Sequence, residues 1–374
     1  MFKKMHPIIR LMMRCLVLFL LTGCTQLDEP KEIVIGVAWP FTANNSLFNE
    51  GIDLAVKEIN NSGGIKDREL KLLKADDESD VHKGMVIAES FAENKAIQAV
   101  IGHDNSFISI PASAIYNKAG LVMLSPASTA PELTRNGYPS IFRNIPSDDE
   151  IARQLATYLA EQGYKRMVIY YADNSYGIGL ANSFEDQTRS QGITIVDRFN
   201  NYTGPEDLRR LHTRWQAYGL DGIFIADTLA GGGRFIADAG KAGIQVPFIA
   251  GNGLDSSLLP EIGGKAAEGT VVGSVFNPYQ DRPEVKRFVT DFSDEYKKMP
   301  DVYAAQGYDA VKMLAAAIEK SDLHHRSTVA GELRKLGRWP GVTGIHEFNA
   351  NGDDRGDLAV LKKLEDGKFE YLKK

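Results

Sequence analysis

Cysteine is nearly absent from this chain of 374 residues: there are two, Cys15 and Cys24. Cys15 lies in an apolar leader, so neither a disulfide framework nor a Cys-metal site can be built. Histidine is sparse as well. Of the seven, none stands at the i, i+4 spacing of a helical zinc pair, and no His-Glu-x-x-His occurs. Positive charge is in deficit, with 43 Lys+Arg against 49 Asp+Glu and a formal net charge of −6. That balance excludes a nucleic-acid binder, which needs a concentrated basic surface to neutralise phosphates. The signatures of catalysis are missing too. There is no Gly-x-Ser-x-Gly elbow, Gly251-Asn252-Gly253 lacks the third glycine of a dinucleotide loop, and Gly264-Lys265 has no upstream glycine at P-loop spacing. The acidic run Asp76–Asp80 and the stretch Asn349–Asp354 read as a solvated turn and a tight turn rather than cation loops. The expectation is a protein that is not an enzyme and takes no cofactor.

What remains is ordinary globular material: 43% hydrophobic and 25% charged residues, long enough for roughly two to three domains at ~150 residues each. The N-terminus stands apart. Lys3, Lys4, Arg10 and Arg14 precede or flank the apolar run Cys15–Leu21, whose seven residues suit a secretory signal and fall short of the ~20 that span a bilayer as a helix. Leu21-Thr22-Gly23-Cys24 resembles a bacterial lipobox: small Thr and Gly leave the backbone open to a peptidase, and a thiol at the new N-terminus can carry lipid. Residues 1–23 are therefore expected to be a lipoprotein signal peptide, Cys24 the lipid attachment, and 24–32 a polar tether. Loss of the four leader cations takes the net charge four units further negative and leaves Cys24 as the only cysteine of the mature chain.

From Ile33 onward strand-like and helix-like segments alternate. Ile33–Ala38 is a short continuous apolar run, as expected of a parallel strand covered on both faces. Phe48, Ile52, Ala55, Val56 and Ile59 follow at helical spacing and stop at Ser62-Gly63-Gly64. Further helices are predicted near 81–93, 108–118, 148–161, 177–191, 205–218, 232–242, 283–298 and 302–319. Strands are predicted at 70–73, 97–101, 121–124, 167–170, 193–199, 222–226 and 246–250, with further strand-like pieces near 342–348, 357–364 and 369–372. Two βα series of similar size predict an α/β chain with two doubly wound, Rossmann-like lobes.

Several blocks, in order, carry a resemblance. They are Gly51–Val56 with Glu58-Ile59-Asn60, Gly63-Gly64-Ile65, Asp76–Asp80, Ile101-Gly102-His103, Ser125–Thr134, Asp173–Gly177 and Ala266–Gly269. Each block alone is weak, but their order and spacing together resemble the type I periplasmic solute-binding proteins, specifically the branched-chain amino-acid (leucine/isoleucine/valine) binding family that feeds ABC importers. The resemblance implies two lobes joined by three crossover strands near 144–146, 274–277 and 344–346. Lobe 1 would comprise 33–145 plus 277–345, and lobe 2 would comprise 146–276 plus 346–374. It implies a small polar, amino-acid-like ligand trapped at the strand tips, an ABC permease as partner, a monomer, and a periplasmic or cell-surface location with membrane contact through the N-terminal lipid only. Two other uses of the fold stay open at this stage: a ligand-binding sensor component, and a partner-binding regulatory lipoprotein.

The site residues follow from the same resemblance. Ser106, Ala127 and Thr129, with Ser128 between the last two, lie just past two neighbouring strands and would hold a ligand carboxylate. Ser and Thr at such places also cap helices routinely. Tyr176 would form an aromatic wall from the second lobe, and Trp39, with Phe41, could close the pocket mouth or simply pack locally. Asn252 stands where the family has the acid that pairs with an α-ammonium group, and asparagine brings no charge. Asp227, at a neighbouring strand tip, is the candidate substitute. The family's first-lobe disulfide has Ser79 and Asn105 in its place.

Overall fold

A computed structural model describes residues 32–43, 46–356 and 360–372. The leader, the Cys24 lipobox and nearly all of the tether lie outside the described residues. No helix among the described residues is long and apolar enough to cross a membrane.

The first five strands are β1 (Glu32–Trp39), β2 (Glu69–Asp76), β3 (Ile97–Gly102), β4 (Val122–Ser125) and β5 (Ile141–Arg143), and they form one sheet in the order β2-β1-β3-β4-β5. β1 pairs with β3, β3 with β4 and β4 with β5, all in parallel, with registers such as Val37↔Ile101 and Ile101↔Leu124. Continuous apolar strands require cover on both faces. On one face lie the helices Phe48–Asn61 and Val302–Lys320, burying Phe48, Ile52, Ala55, Tyr308, Val311 and Leu314. On the other lie Val81–Glu93 and Ser106–Lys118, burying Ala88, Phe91, Ala112 and Tyr116. The first two helices approach so closely that a Cβ on Gly51 would stand 2.1 Å from the Ala304 carbonyl oxygen.

The second sheet holds β6 (Arg166–Tyr171), β7 (Thr194–Phe199), β8 (Gly222–Ala226), β9 (Phe248–Ala250) and β10 (Val271–Ser274). After a small antiparallel pair, β11 (Trp339–Pro340) with β12 (Ile345–His346), the chain adds β13 (Val360–Glu365) and β14 (Lys368–Tyr371) to that second sheet. Its order is β14-β13-β10-β9-β8-β6-β7, parallel except where β13 meets β10 and β14. Helices Asp148–Glu161 and Ser175–Ser190 cover one face, where Phe184 stacks on Phe224 at 3.6 Å between ring centroids. Helices Pro205–Ala217 and Leu229–Lys241 cover the other, where Tyr170 stacks on Phe235 at 4.2 Å. Burying each such ring is worth roughly 1.5–3 kcal/mol.

Among the departures from the reading of the sequence, two bear on how the sheets are joined. The stretch between Ser125 and Asp148 holds a one-turn helix, Glu132–Arg135, and the three-residue strand β5, neither of which the pattern predicted. The last crossover was expected at 344–346, but residues 346–354 pack on elements of the first sheet. Phe348 meets Phe142 edge-on at 5.2 Å, Arg143 N–H donates to Gly352 O at 3.0 Å, and Arg143 Nε pairs with Asp353 at 2.8 Å. The second sheet regains the chain only at β13. The reason is charge: buried His346 lies between Asp354, at its Nδ1, and Asp309, 3.2 Å from its Nε2. Asp309, on the helix Val302–Lys320, also accepts from the N–H groups of Val342 and Thr343, at 2.9 and 2.8 Å.

Burial alone would lower the imidazole pKa of His346, but hydrogen bonds to Asp309 and Asp354 and the charges of both outweigh it and push it up to about 9 from the usual 6.5. A folded-state pKa above the unfolded one means stabilisation that is complete below about pH 6.5 and lost as pH rises through about 9. His346→Gln is expected to cost about 3–5 kcal/mol near neutrality, since it leaves buried carboxylates without their cation. Urea midpoints measured across the alkaline range should show that deficit shrinking. A deficit independent of pH would mean that His346 is not charged in the native state.

Candidate ligand-binding cleft

Parallel strands present their carboxyl ends on one side of each sheet, where open α/β sheets take their ligands; here elements at the two sets of tips approach each other, and a Cβ on Gly179 would stand 3.5 Å from Pro131 Cδ. In the first lobe the loop after β3 is fastened from below. His103 Nδ1 lies 2.6 Å from Asp77 Oδ2, both fully buried, and Tyr116 OH lies 3.3 Å from His103 Nε2. The hydroxyls of Ser109, Ser125 and Ser128 all donate to the His103 carbonyl oxygen, at 3.2 Å each. Aspartate, histidine and serines thus gather without forming a nucleophile and base: the hydroxyls bond the backbone oxygen, while the imidazole lies between Asp77 and Tyr116.

This scaffold positions the residues named from the sequence. Ser106 opens the helix Ser106–Lys118, is 2% exposed, and accepts the Ala130 N–H at 3.3 Å. Ser128 has its hydroxyl committed to His103 O and to Asp104 O at 3.0 Å, which makes it a brace between the two loops. Ala127 is half-buried against the first core. Thr129 is fully buried, yet its Oγ1 has no hydrogen-bond partner among the described residues. Trp39, at the tip of β1, stacks on Phe48 at 3.7 Å and meets the edge of Tyr303 at 6.0 Å, and its buried Nε1 likewise has no partner. Phe41 packs against the same core.

In the second lobe Asn174 caps the helix Ser175–Ser190 by accepting the Gly177 N–H at 3.0 Å, and so sets Tyr176 in the first turn. Tyr176 OH accepts the Gly253 N–H at 2.9 Å and donates to Asn252 Oδ1 at 3.3 Å. A side chain at 253 has no room, because a Cβ there would stand 2.4 Å from the Asp227 carbonyl oxygen and 2.7 Å from Tyr176 OH. Tyr176, Asn252 and the backbone of Asp227 therefore form one group. The Asp227 carboxylate turns instead to its own helix start: Oδ1 accepts the Thr228 N–H at 2.7 Å, and a Cβ on Gly231 would come within 2.1 Å of Oδ2. Burial raises the pKa of Asp227 to about 6, against the pull of the Thr228 hydrogen bonds and Arg234.

Three residues that the sequence reading passed over also stand at the cleft. Asp148 opens the helix Asp148–Glu161; its N–H donates to Thr129 O at 2.9 Å. Acids at helix starts are so common that its position gave no signal. It is fully buried, and neither carboxyl oxygen has a well-aligned hydrogen-bond partner among the described residues. Burial raises its pKa to about 7; the nearby Thr129 hydroxyl and Arg143 oppose the rise, and the charges of Asp149 and Glu132 add to it. Tyr303, from the helix Val302–Lys320, has its hydroxyl pKa driven well up by burial and by the charges of Asp104 and Asp255. Asp255 forms a buried ion pair with Lys362 of β13, so the loop after β9 is tied to the returning strand.

Tyr176→Phe should keep the ring but strand the Gly253 N–H. A loss of about 1–3 kcal/mol is expected, read from urea unfolding, and a variant as stable as the parent would remove Tyr176 as the organiser of this loop.

Comparison with known proteins adds three findings. The sequence profile of the periplasmic binding protein family matches residues 32–360. The chain is 30% identical over 349 residues to the leucine-specific-binding protein of Salmonella typhimurium, covering 92% of this chain and 94% of that one, and 28% identical over 353 residues to a Leu/Ile/Val-binding protein homolog of Brucella suis, covering 91% and 93%. It is similar to the solved structure of an ABC transporter substrate-binding protein from Desulfitobacterium hafniense in complex with Leu. There the identity is 61% and the TM-score 0.85, over 91% of this chain and 100% of that one.

Proposed function

Because the chain belongs to the periplasmic binding protein family, we propose that it is the exported, lipid-anchored component of an ABC importer, and that it captures a branched-chain amino acid, leucine foremost, between its two lobes. The observation that carries the ligand is the 61% identity to a protein solved with Leu bound, over 91% of this chain. The cleft supports it. Ser106, Ala127 and Thr129 would hold the carboxylate from loops braced by Ser128, where N–H groups at strand tips and helix starts suit an anion. Tyr176 and Trp39 would wall the side chain, with Asn252 as a neutral hydrogen-bonding neighbour. Closure about the crossovers brings both contact sets onto one ligand, so only the closed state gains all of it. Cys24 would carry the lipid and keep the protein at the membrane, in the periplasm or at the cell surface, where a permease can receive the cargo.

Thermal unfolding of the chain from residue 25 tests the ligand against leucine, isoleucine, valine, polar amino acids, amides and simple carboxylates. A solute present at ~1,000 times its dissociation constant stabilises by ~4 kcal/mol, which gives a clear melting shift. Shifts confined to branched-chain amino acids are expected. A panel of flat melting curves would sink the proposal. Separately, the full chain expressed in a bacterium should incorporate radiolabelled palmitate, and Cys24→Ser should not; equal labelling of both would refute the anchor.

A further inference from the structure

The first lobe has a pocket away from the cleft, closed by the adjacent histidines His324 and His325. It lies at the opposite end of the sheet. Gln98, which lines it, is the second residue of β3, whereas the cleft begins beyond Gly102, the last. The pocket holds about 300 Å³, at the lower end of the range for small-molecule sites, and is also walled by Lys95, Arg326 and Ser327. We propose that it is a separate binding site, which takes a small hydroxylated phosphate of the glycerol phosphate class.

Charge decides the sign of the ligand. Arg326 is buried, and its guanidinium donates to Ala92 O at 2.6 Å and Asn94 O at 3.0 Å, where the helix Val81–Glu93 ends. It also donates to Ala119 O at 3.2 Å, where the helix Ser106–Lys118 ends. Those carbonyls are the negative ends of two helices and would by themselves draw a cation. Arg326 already answers them. Lys95 and His324 are exposed beside it, and neither side chain has a hydrogen-bond or ion-pair partner among the described residues. The neighbouring acid is Asp322, whose carboxylate accepts the His324 N–H at 2.9 Å and pairs with His325 Nδ1 at 2.8 Å. Among the described residues no group of three His, Cys, Asp or Glu side chains is placed to hold a metal ion. The excess of positive charge therefore points to an anion.

Gln98 narrows the class. The residue is 4% exposed, and its Oε1 is buried without a hydrogen-bond partner among the described residues. A buried amide left unmet is costly, and rotation about its last torsion turns either its carbonyl oxygen or its NH2 group toward an occupant. A bare phosphate ion would leave the carbonyl oxygen unserved. A hydroxyl beside the phosphate serves it, while Lys95, His324 and the Ser327 hydroxyl hold the phosphoryl oxygens. Free polyol phosphates and the headgroup of phosphatidylglycerol both carry this pair of groups.

The experiment is calorimetric titration of glycerol 3-phosphate, inorganic phosphate and glycerol into the chain from residue 25, which holds every described residue, with and without saturating leucine. Glycerol 3-phosphate should bind about tenfold tighter than inorganic phosphate, and glycerol should not bind. Lys95→Ala combined with His324→Ala, both at exposed positions, should weaken glycerol 3-phosphate by about tenfold or more. Gln98→Leu should erase its advantage over inorganic phosphate, and the exposed pair keeps the test decisive where this buried substitution disturbs folding. Leucine should change none of these values. Vesicles of phosphatidylglycerol, set against phosphatidylcholine, separate the two sources. Co-sedimentation that the double variant loses supports the site with a lipid as ligand; glycerol 3-phosphate binding without co-sedimentation supports it with a free solute. Failure of glycerol 3-phosphate to bind at millimolar concentration overturns the proposal, as does binding that the double variant keeps. Displacement of glycerol 3-phosphate by leucine also overturns it, since the anion would then occupy the cleft.

Discussion

A guanidinium removed from water must place its N–H groups on acceptors, and the architecture around the cleft follows from how Arg143 does so. It is fully buried at the end of β5. It reaches Ser128 O and Ala130 O in the loop that presents Thr129, Thr134 Oγ1 in the short helix beyond, and Asp353 in the returning segment. Two stretches far apart in sequence, residues 128–134 and the segment around Asp353, therefore meet on one charge, beside the first crossover and a few residues before Asp148. None of them can move far without uncovering an unpaired ion in a dry interior.

That rigidity contrasts with the cleft above it. Beneath the tips, one set of polar groups is satisfied: three serine hydroxyls on His103 O, Asp77 on the imidazole, Asp309 and Asp354 on His346. At the tips, Thr129 Oγ1, Trp39 Nε1 and both Asp148 oxygens are buried and unmatched. Each buried polar group left without a partner costs about 1–3 kcal/mol.

Much of this was legible from local pattern. The strands Glu32–Trp39, Ile97–Gly102 and Gly222–Ala226 and the helices Asp148–Glu161 and Pro205–Ala217 fall within a residue of their predicted bounds, because hydrophobic period is a property of neighbours. The loops after β3 and β4 were found through their hydroxyls and their place after strands. β5 escaped because three residues make no pattern. The home of 346–354 escaped because it rests on ion pairs between distant positions, such as Thr134 with Asp353 across 219 residues, which leave no spacing in the chain. Asp148 escaped for a different reason: an acid at a helix start has an ordinary local explanation, and only the missing partner, visible in three dimensions, sets it apart. Tyr303 reads in sequence as the second residue of a helix and nothing more.

The Asp77–His103 contact has a consequence of its own. By resemblance, related chains bridge these two loops through a disulfide at the positions of Ser79 and Asn105, two residues beyond each member of the pair. Here the tie is a buried hydrogen bond, 2.6 Å between His103 Nδ1 and Asp77 Oδ2. It needs no oxidant to form and offers a reductant nothing to attack, so the loop that carries Ser106 keeps its shape whatever the redox poise of its surroundings.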